Sequence, residues 1–139
     1  MKGFVLDASV ALRWLLDDPV PAYAQRLRQR LLRGDRALVP ALWHLEISNG
    51  LAVAERRSLL GSGDIDRALL DIERMVAHAV DTEVAIVSAR QALVTARAFR
   101  LSAYDAVYLD LAQQRRLPLA TLDERLQAAA GKAGIELVR

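Results

Sequence analysis

The stretch Phe4-Val5-Leu6-Asp7-Ala8-Ser9 decides the fold, because it passes from a buried strand into a helix within a few residues. Three consecutive apolar residues that end at a polar one predict a short strand buried on both faces. Asp7 or Ser9 is a suitable N-cap for a helix that runs on to Leu16. The opening is therefore predicted to be a strand followed directly by a helix, with a carboxylate at the junction.

Strand and helix patterns continue to alternate along the chain, which predicts an α/β fold. Such alternation favours a mainly parallel sheet covered by helices on both faces, a three-layer α/β/α architecture. Without a repeat, a low-complexity segment or a linker, residues 1–139 are predicted to form a single domain. Asp64 is the predicted N-cap of a helix over 65–75, and Asp81 or Thr82 is predicted to open the helix that ends near Phe99. The predicted strands are 4–6, 37–39, 76–80, 117–122 and 135–138, and the other helices are predicted to end near 16, 33, 57, 116 and 130.

The composition excludes several classes of site. The chain has 139 residues, 53% of them apolar, which is enough to bury a core, and it contains no cysteine. Disulfides and thiolate metal sites are thereby excluded, and with 2 histidines a zinc site is disfavoured. No apolar stretch is long enough to cross a membrane, and Asp7 interrupts what would be the apolar part of a signal peptide. We expect a soluble, cytoplasmic protein with no membrane partner.

The basic residues are almost all arginine, with Lys2 and Lys132 the exceptions among 19. Arginine forms bidentate contacts with phosphate, which suits a nucleic-acid partner. An arginine-rich genome explains the same bias equally well. The formal net charge is only +2, although the remaining surface would carry +6 if four acids were gathered in one site.

Four acids stand where apolar segments stop or are interrupted, and they are the strongest functional signal in the chain. Asp7, Asp105 and Asp123 follow apolar runs, and Glu46 breaks the run that begins at Val39. A carboxylate in such a place is costly unless it is paired, hydrogen-bonded or bound to a cation. Few basic residues lie near these positions in the sequence, so a metal ion is the expected compensation.

Glu46 is the most informative of the four because of its place on a predicted helix. At about 100° per residue, Glu46 and Asn49 fall beside Leu42 and Val53, away from the polar face. Both side chains are therefore expected to point into the domain. The alternative is a surface glutamate on a helix whose orientation is misjudged.

Helix capping is the alternative explanation for the three aspartates. Ser102 and Asp105 have the spacing of a capping box, and Asp123 and Asp7 are both suitable N-caps. Each cap is plausible by itself, and the complete set, with an inward glutamate, favours a shared site. Gathered carboxylates repel one another and call for a cation, and Mg²⁺ or Mn²⁺ suits an all-oxygen site. Such ions acidify water and orient phosphates, as phosphatases, nucleases and polymerases all require.

Four segments together resemble the PIN-domain ribonucleases of the VapC toxin type, which belong to type II toxin–antitoxin systems. The resemblance covers essentially the whole chain, and the four motifs occur in the order of that family. They are Val5-Leu6-Asp7-Ala8-Ser9-Val10-Ala11-Leu12, Glu46-Ile47-Ser48-Asn49-Gly50-Leu51, Leu101-Ser102-Ala103-Tyr104-Asp105-Ala106-Val107-Tyr108-Leu109 and Leu119-Ala120-Thr121-Leu122-Asp123.

The resemblance implies a PIN-like α/β/α domain that hydrolyses RNA through water activated by Mg²⁺ or Mn²⁺. It implies that Asp7 and Asp105 are the most direct metal ligands and that Arg13 contacts phosphate or an antitoxin carboxylate. The full set of acids that it implies for catalysis and metal binding is Asp7, Glu46, Asp105 and Asp123, with Ser9, Asn49 and Thr121 in support.

The same resemblance implies an RNA substrate, a homodimer and a cognate VapB-type antitoxin that occupies the groove and represses transcription of the pair. Two alternatives share the fold, namely an RNA-processing PIN nuclease that is not a toxin and a catalytically silent binding module. A phospho-acceptor signalling domain is a weaker alternative. It usually needs a lysine near the phosphate, and the two lysines, Lys2 and Lys132, lie at the ends of the chain.

Overall fold

The computed structural model describes residues 3–139, and its centre is a sheet of four parallel strands in the order β3-β2-β1-β4. In β1, Val5 is aligned with Leu38 on one side and with Leu119 on the other, so the first strand of the chain lies inside the sheet. Its residues after Gly3 are fully buried. The strands are β1 (Gly3–Leu6), β2 (Arg36–Pro40), β3 (Val80–Glu83) and β4 (Leu119–Ala120).

Seven helices within the described residues flank this sheet, which confirms the predicted three-layer α/β/α fold. Helix α6 packs on β1 and β2 and also against α5 and α7, while α1 packs against α2 and α3. None of the helices within residues 3–139 has both the length and the apolar character needed to span a membrane. The helices are α1 (Ala8–Leu16), α2 (Ala22–Leu32), α3 (Leu42–Arg56), α4 (Ser62–Ala79), α5 (Ala89–Phe99), α6 (Ala103–Arg115) and α7 (Glu124–Ala133).

The predicted strand over 76–80 is wrong, because α4 continues to Ala79 and β3 begins only at Val80. The buried side chains of α4 recur at the helical interval up to its last residue. The helix expected to open at Asp81 or Thr82 begins at Ala89 instead, and Ser88 is its N-cap. Three of the four residues in 80–83 are polar, so the hydrophobic pattern did not indicate a strand there.

Three further boundaries differ from the prediction. Helix α4 begins at Ser62 rather than after Asp64, and the Asp64 carboxylate accepts a hydrogen bond from the Gly61 N–H at 3.0 Å. The strand predicted over 117–122 is only two residues long. The strand predicted over 135–138 is an isolated parallel bridge between Leu119 and Leu137.

A glycine sets the spacing of α1 and α3, the two helices beside the carboxyl ends of β1 and β2. A Cβ atom placed on Gly50 would lie 2.5 Å from Cδ2 of Leu12, well inside van der Waals contact. The absence of a side chain therefore allows α3 to approach α1 closely. Glu46 lies one turn before Gly50 on α3, so the same approach carries it toward Asp7.

Candidate functional site

All four acids singled out in the sequence line one pocket of about 610 Å³. Asp7 directly follows β1 and Asp123 comes shortly after β4, the two neighbouring strands that end at this side of the sheet. Glu46 reaches the pocket from α3 and Asp105 from the first turn of α6. Ligands of parallel α/β sheets bind beyond the carboxyl ends of the strands, and this pocket lies there.

Asp7 is the most buried of the four, with 5% of its surface exposed. Its Oδ2 accepts hydrogen bonds from the hydroxyls of Ser9 and Thr121, both at 2.7 Å. Burial raises the pKa of Asp7, the two hydroxyls partly oppose that rise, and the charge of Asp123 adds to it. Although Asp7 occupies the N-cap position of α1, its side chain makes no capping hydrogen bond.

Ser9 and Thr121 connect the two strand ends. The hydroxyl of Ser9 accepts a hydrogen bond from the Leu122 N–H at 3.1 Å, and Oγ1 of Thr121 accepts one from the Asp123 N–H at 3.0 Å. Thr121 is itself almost completely buried, with 1% of its surface exposed. The carboxylate of Asp7 is therefore held by a network that includes the backbone leading to Asp123.

Glu46 is half-buried on α3, and its Oε1 accepts a hydrogen bond of 2.6 Å from the hydroxyl of Tyr108 on α6. Burial raises the pKa of Glu46, and the hydrogen bond from Tyr108 lowers it. The charges of Asp7 and Asp105 then raise it further. Asn49, three residues along the helix, also lines the pocket.

Asp105 is half-buried at the start of α6, where its backbone N–H donates to the hydroxyl of Ser102 at 3.1 Å. Ser102 is therefore the capping side chain of this helix. Burial raises the pKa of Asp105, as do the charges of Asp123 and Asp7, while Ser102 and the charge of Arg125 lower it.

Asp123 is the one acid of the four whose side chain caps a helix. Its Oδ1 accepts a hydrogen bond from the Leu126 N–H at 3.0 Å, at the start of α7. Asp123 nevertheless lines the pocket. Of the three aspartates, only Asp123 therefore caps a helix with its side chain, and Asp123 lines the pocket as well.

None of the ion pairs found within residues 3–139 includes any of the four acids. As they stand, no three or more carboxylate or imidazole side chains in that part of the chain form a cluster that holds a metal ion. Mg²⁺ usually takes one or two direct carboxylates and completes its shell with water, so the donors need not all converge. Their repulsion without a cation, together with their all-oxygen chemistry, makes the four acids a fit for Mg²⁺ or Mn²⁺.

The PIN domain family model matches residues 4–132. The chain belongs to the PIN domain family. This PIN domain is 38% identical over 122 residues to VapC ribonuclease Mb0985 of Mycobacterium bovis and to Ribonuclease VapC9 of Mycobacterium tuberculosis. Each alignment covers 88% of this chain and 87% of the relative.

Two crystal structures have the same fold as this PIN domain at low sequence identity. PAE2754 from Pyrobaculum aerophilum has a TM-score of 0.67 at 23% identity, over 92% of this chain and 86% of that one. FitAcB from Neisseria gonorrhoeae has a TM-score of 0.68 at 19% identity, over 98% of this chain and 96% of that one.

Among the basic residues, the PIN domain places Arg13 outside the pocket lining, where it pairs with Asp17 at 2.8 Å. Arg125 on α7 is instead the cation whose charge acts on Asp105. Neither Arg125 nor Tyr108 was predicted from the sequence to belong to the site. Tyr108 carried a readable signal, because it lies three residues after Asp105 and so on the same face of α6.

Proposed function

We propose that this PIN domain is a divalent-metal-dependent endoribonuclease and the toxin of a toxin–antitoxin pair. Relatives at 38% identity bear the names VapC ribonuclease and Ribonuclease VapC9. The structural observation that carries the proposal is the meeting of four carboxylates, from four separate segments, in one pocket, with no ion pair from residues 3–139 to offset them. Such an arrangement disfavours the metal-free state and suits a site for phosphodiester hydrolysis.

In this proposal, Asp7, Glu46, Asp105 and Asp123 hold Mg²⁺ or Mn²⁺. When bound, that ion supplies an acidified water and stabilises charge on the phosphate oxygens. Ser9 and Thr121 fix the carboxylate of Asp7 through the hydrogen bonds to its Oδ2.

The remaining polar groups of the pocket bind the RNA backbone in this proposal. Asn49 offers an amide at the pocket wall, within reach of a ribose or phosphate. Arg125 is placed to contact a phosphate beside Asp105, and Arg13, once released from Asp17, would contact phosphate or an antitoxin carboxylate. The expected products are a 5′-phosphate and a 3′-hydroxyl.

Partners follow from the same proposal. A VapB-type antitoxin would cover the pocket, and two copies of this chain would form a homodimer, both acting in the cytoplasm where the RNA substrate is found. An RNA-processing PIN nuclease without a toxin role is the second candidate. The test below separates the two, since a processing enzyme cuts RNA without arresting growth.

The first experiment is to induce the intact protein and Asp105→Asn in a bacterium, follow growth, and sequence RNA ends that carry a 5′-phosphate. The intact protein should stop growth and create discrete new ends, and Asp105→Asn should do neither. Asp71→Asn is the matched control. Asp71 is an exposed aspartate on α4 that lies outside the pocket of the four acids.

Three outcomes decide between the candidates. New ends from Asp105→Asn at the level of the intact protein would contradict the proposed chemistry. New ends without growth arrest would favour an RNA-processing enzyme. No new ends from a folded intact protein would favour the silent binding module.

A further inference from the structure

Tyr108 is a buried tyrosine that reaches one of the four acids from beneath the pocket. It lies on α6 one turn after Asp105, and its side chain has 0% exposure. Its hydroxyl donates a hydrogen bond to Oε1 of Glu46 on α3, and the donor–acceptor distance is 2.6 Å. The short distance is typical of a hydroxyl that donates to a carboxylate.

The ring of Tyr108 is fixed, whereas the side chain of Glu46 is not fixed by its own helix. Tyr108 belongs to the main core cluster of the domain, so its hydroxyl sits at a set position. Glu46 carries three rotatable bonds, and its carboxylate is half-exposed at the pocket wall. Because leaving a buried hydroxyl without an acceptor costs free energy, the bond to Glu46 is strongly favoured.

We infer that Tyr108 is a positioning residue that holds the Glu46 carboxylate at the pocket wall shared with Asp7 and Asp105, where it serves a divalent cation directly or through a bound water. The inference rests on the proposed function. In it, α6 contributes to the site twice, directly through Asp105 and indirectly through Tyr108. Replacing a group that orients a metal ligand by hydrogen bonding commonly weakens metal binding by about 10- to 100-fold.

A merely structural role is the alternative, in which the bond ties α3 to α6 and the pocket gains nothing from it. Both roles predict some loss of stability in Tyr108→Phe, so stability does not separate them. Cation affinity does, because only the positioning role requires Glu46 as the intermediary. Mn²⁺ binding by the metal-free protein, followed by the electron paramagnetic resonance of free Mn²⁺, needs no catalysis.

The test is a double-mutant cycle of the intact protein, Tyr108→Phe, Glu46→Gln and the double variant. Tyr108→Phe should weaken Mn²⁺ binding by about tenfold. In the Glu46→Gln background, the same change should have no further effect on the affinity. Tyr23→Phe is the matched control, since Tyr23 also donates one hydrogen bond of 2.7 Å, to the Val138 carbonyl, away from the pocket.

Equal Mn²⁺ affinity in Tyr108→Phe and the intact protein would overturn the inference, and so would an equal loss in both Glu46 backgrounds. Failure of the proposed function looks different, because the intact protein itself would then bind no Mn²⁺ and cut no RNA. If Tyr108→Phe did not fold, Glu46→Asp would replace it in the test. The aspartate side chain is shorter, so its carboxylate would no longer reach the hydroxyl of Tyr108. Undiminished Mn²⁺ affinity in Glu46→Asp would contradict the inference.

Discussion

The carboxylate of Asp7 lies in a part of the protein that is almost inaccessible to water. The hydroxyls of Ser9 and Thr121 offset part of the desolvation, but burial still raises the pKa of Asp7. Burial is also the main cause that raises the pKa values of Glu46 and Asp105. In the metal-free protein the folded state therefore binds protons more readily at these acids than the unfolded state does.

We expect the metal-free protein to lose stability as the pH rises from about 4 toward 7. The ordinary pKa values are 3.8 for Asp7 and Asp105 and 4.5 for Glu46, and folding raises all three. Below the ordinary values both states are protonated and the stabilising contribution is complete. It is lost as the pH passes through the raised values, because the folded state must then carry the buried charges. Urea unfolding at several pH values measures this slope.

Asp7→Asn should flatten that slope and should be no less stable than the intact protein at neutral pH without metal. Asp66→Asn, which removes an exposed acid on α4, is the control for the loss of one negative charge. The comparison cancels Asp81, whose pKa is lowered by Arg36 and whose contribution has the opposite sign. A lower stability of Asp7→Asn at neutral pH would show that the carboxylate serves the fold rather than the pocket.

At the scale of elements, the sequence predicted helices more reliably than strands. The end of α4 was mistaken for a strand because Val76-Ala77-His78-Ala79-Val80 is a short run that suits both structures. The tertiary contacts of α4 favour a helix here, because they bury Met75 and Ala79 on the same face as Ile72. β3 was missed because an edge strand exposes polar side chains and lacks an apolar run.

The sequence predicted those parts of the candidate site that depend on where strands end and on which face of a helix a residue lies. Asp7 and Asp123 follow neighbouring strands, and the helical phase of Glu46 pointed it inward. The bond between Tyr108 and Glu46 joins residues 62 positions apart and depends on how α3 lies against α6. The sequence places Tyr108 on the same face of α6 as Asp105, but no local pattern contains the crossing of the two helices, so the bond to Glu46 could not be predicted.

Gly50→Ala should be less favourable than a glycine-to-alanine change without close neighbours by about 1–3 kcal/mol, the usual range for overpacking. The new methyl group would lie too close to the side chain of Leu12, so that either Leu12 shifts or α3 moves away from α1. Gly131→Ala is the matched control within α7, where nothing lies within 4 Å of the added Cβ. It should stabilise by up to about 1 kcal/mol through helix propensity alone. Chemical denaturation of both variants checks the pair, and equal effects would refute the close approach of the two helices.

At the scale of the whole molecule, an apolar groove adjoins the pocket of the four acids, and Leu42 lines both. Val84 and Ile86, in the segment after β3, are 85% and 96% exposed, and they line the groove with Val107 and Leu111. Exposed apolar side chains grouped in this way mark surfaces that associate. This groove is where we expect the proposed homodimer to form.

Sedimentation velocity should show a dimer for the intact protein and mostly monomer for Ile86→Asp, because the new charge would be buried without a partner. Leu59→Asp is the control, since Leu59 is also largely exposed, at 71%, but does not line the groove. A monomeric intact protein, or a dimer that survives Ile86→Asp, would contradict this assignment of the interface.

The position of β1 inside the sheet has a consequence for the order in which the site comes into being. Asp7 leaves the ribosome well before its hydroxyl partner Thr121, which is made 114 residues later. Until β4 has been synthesised, β1 has a free edge and the pocket has neither Thr121 nor Asp123. A growing chain therefore carries no complete set of acids. Under the proposed function, a translating cell has the interval before β4 emerges in which to make the antitoxin for the finished pocket.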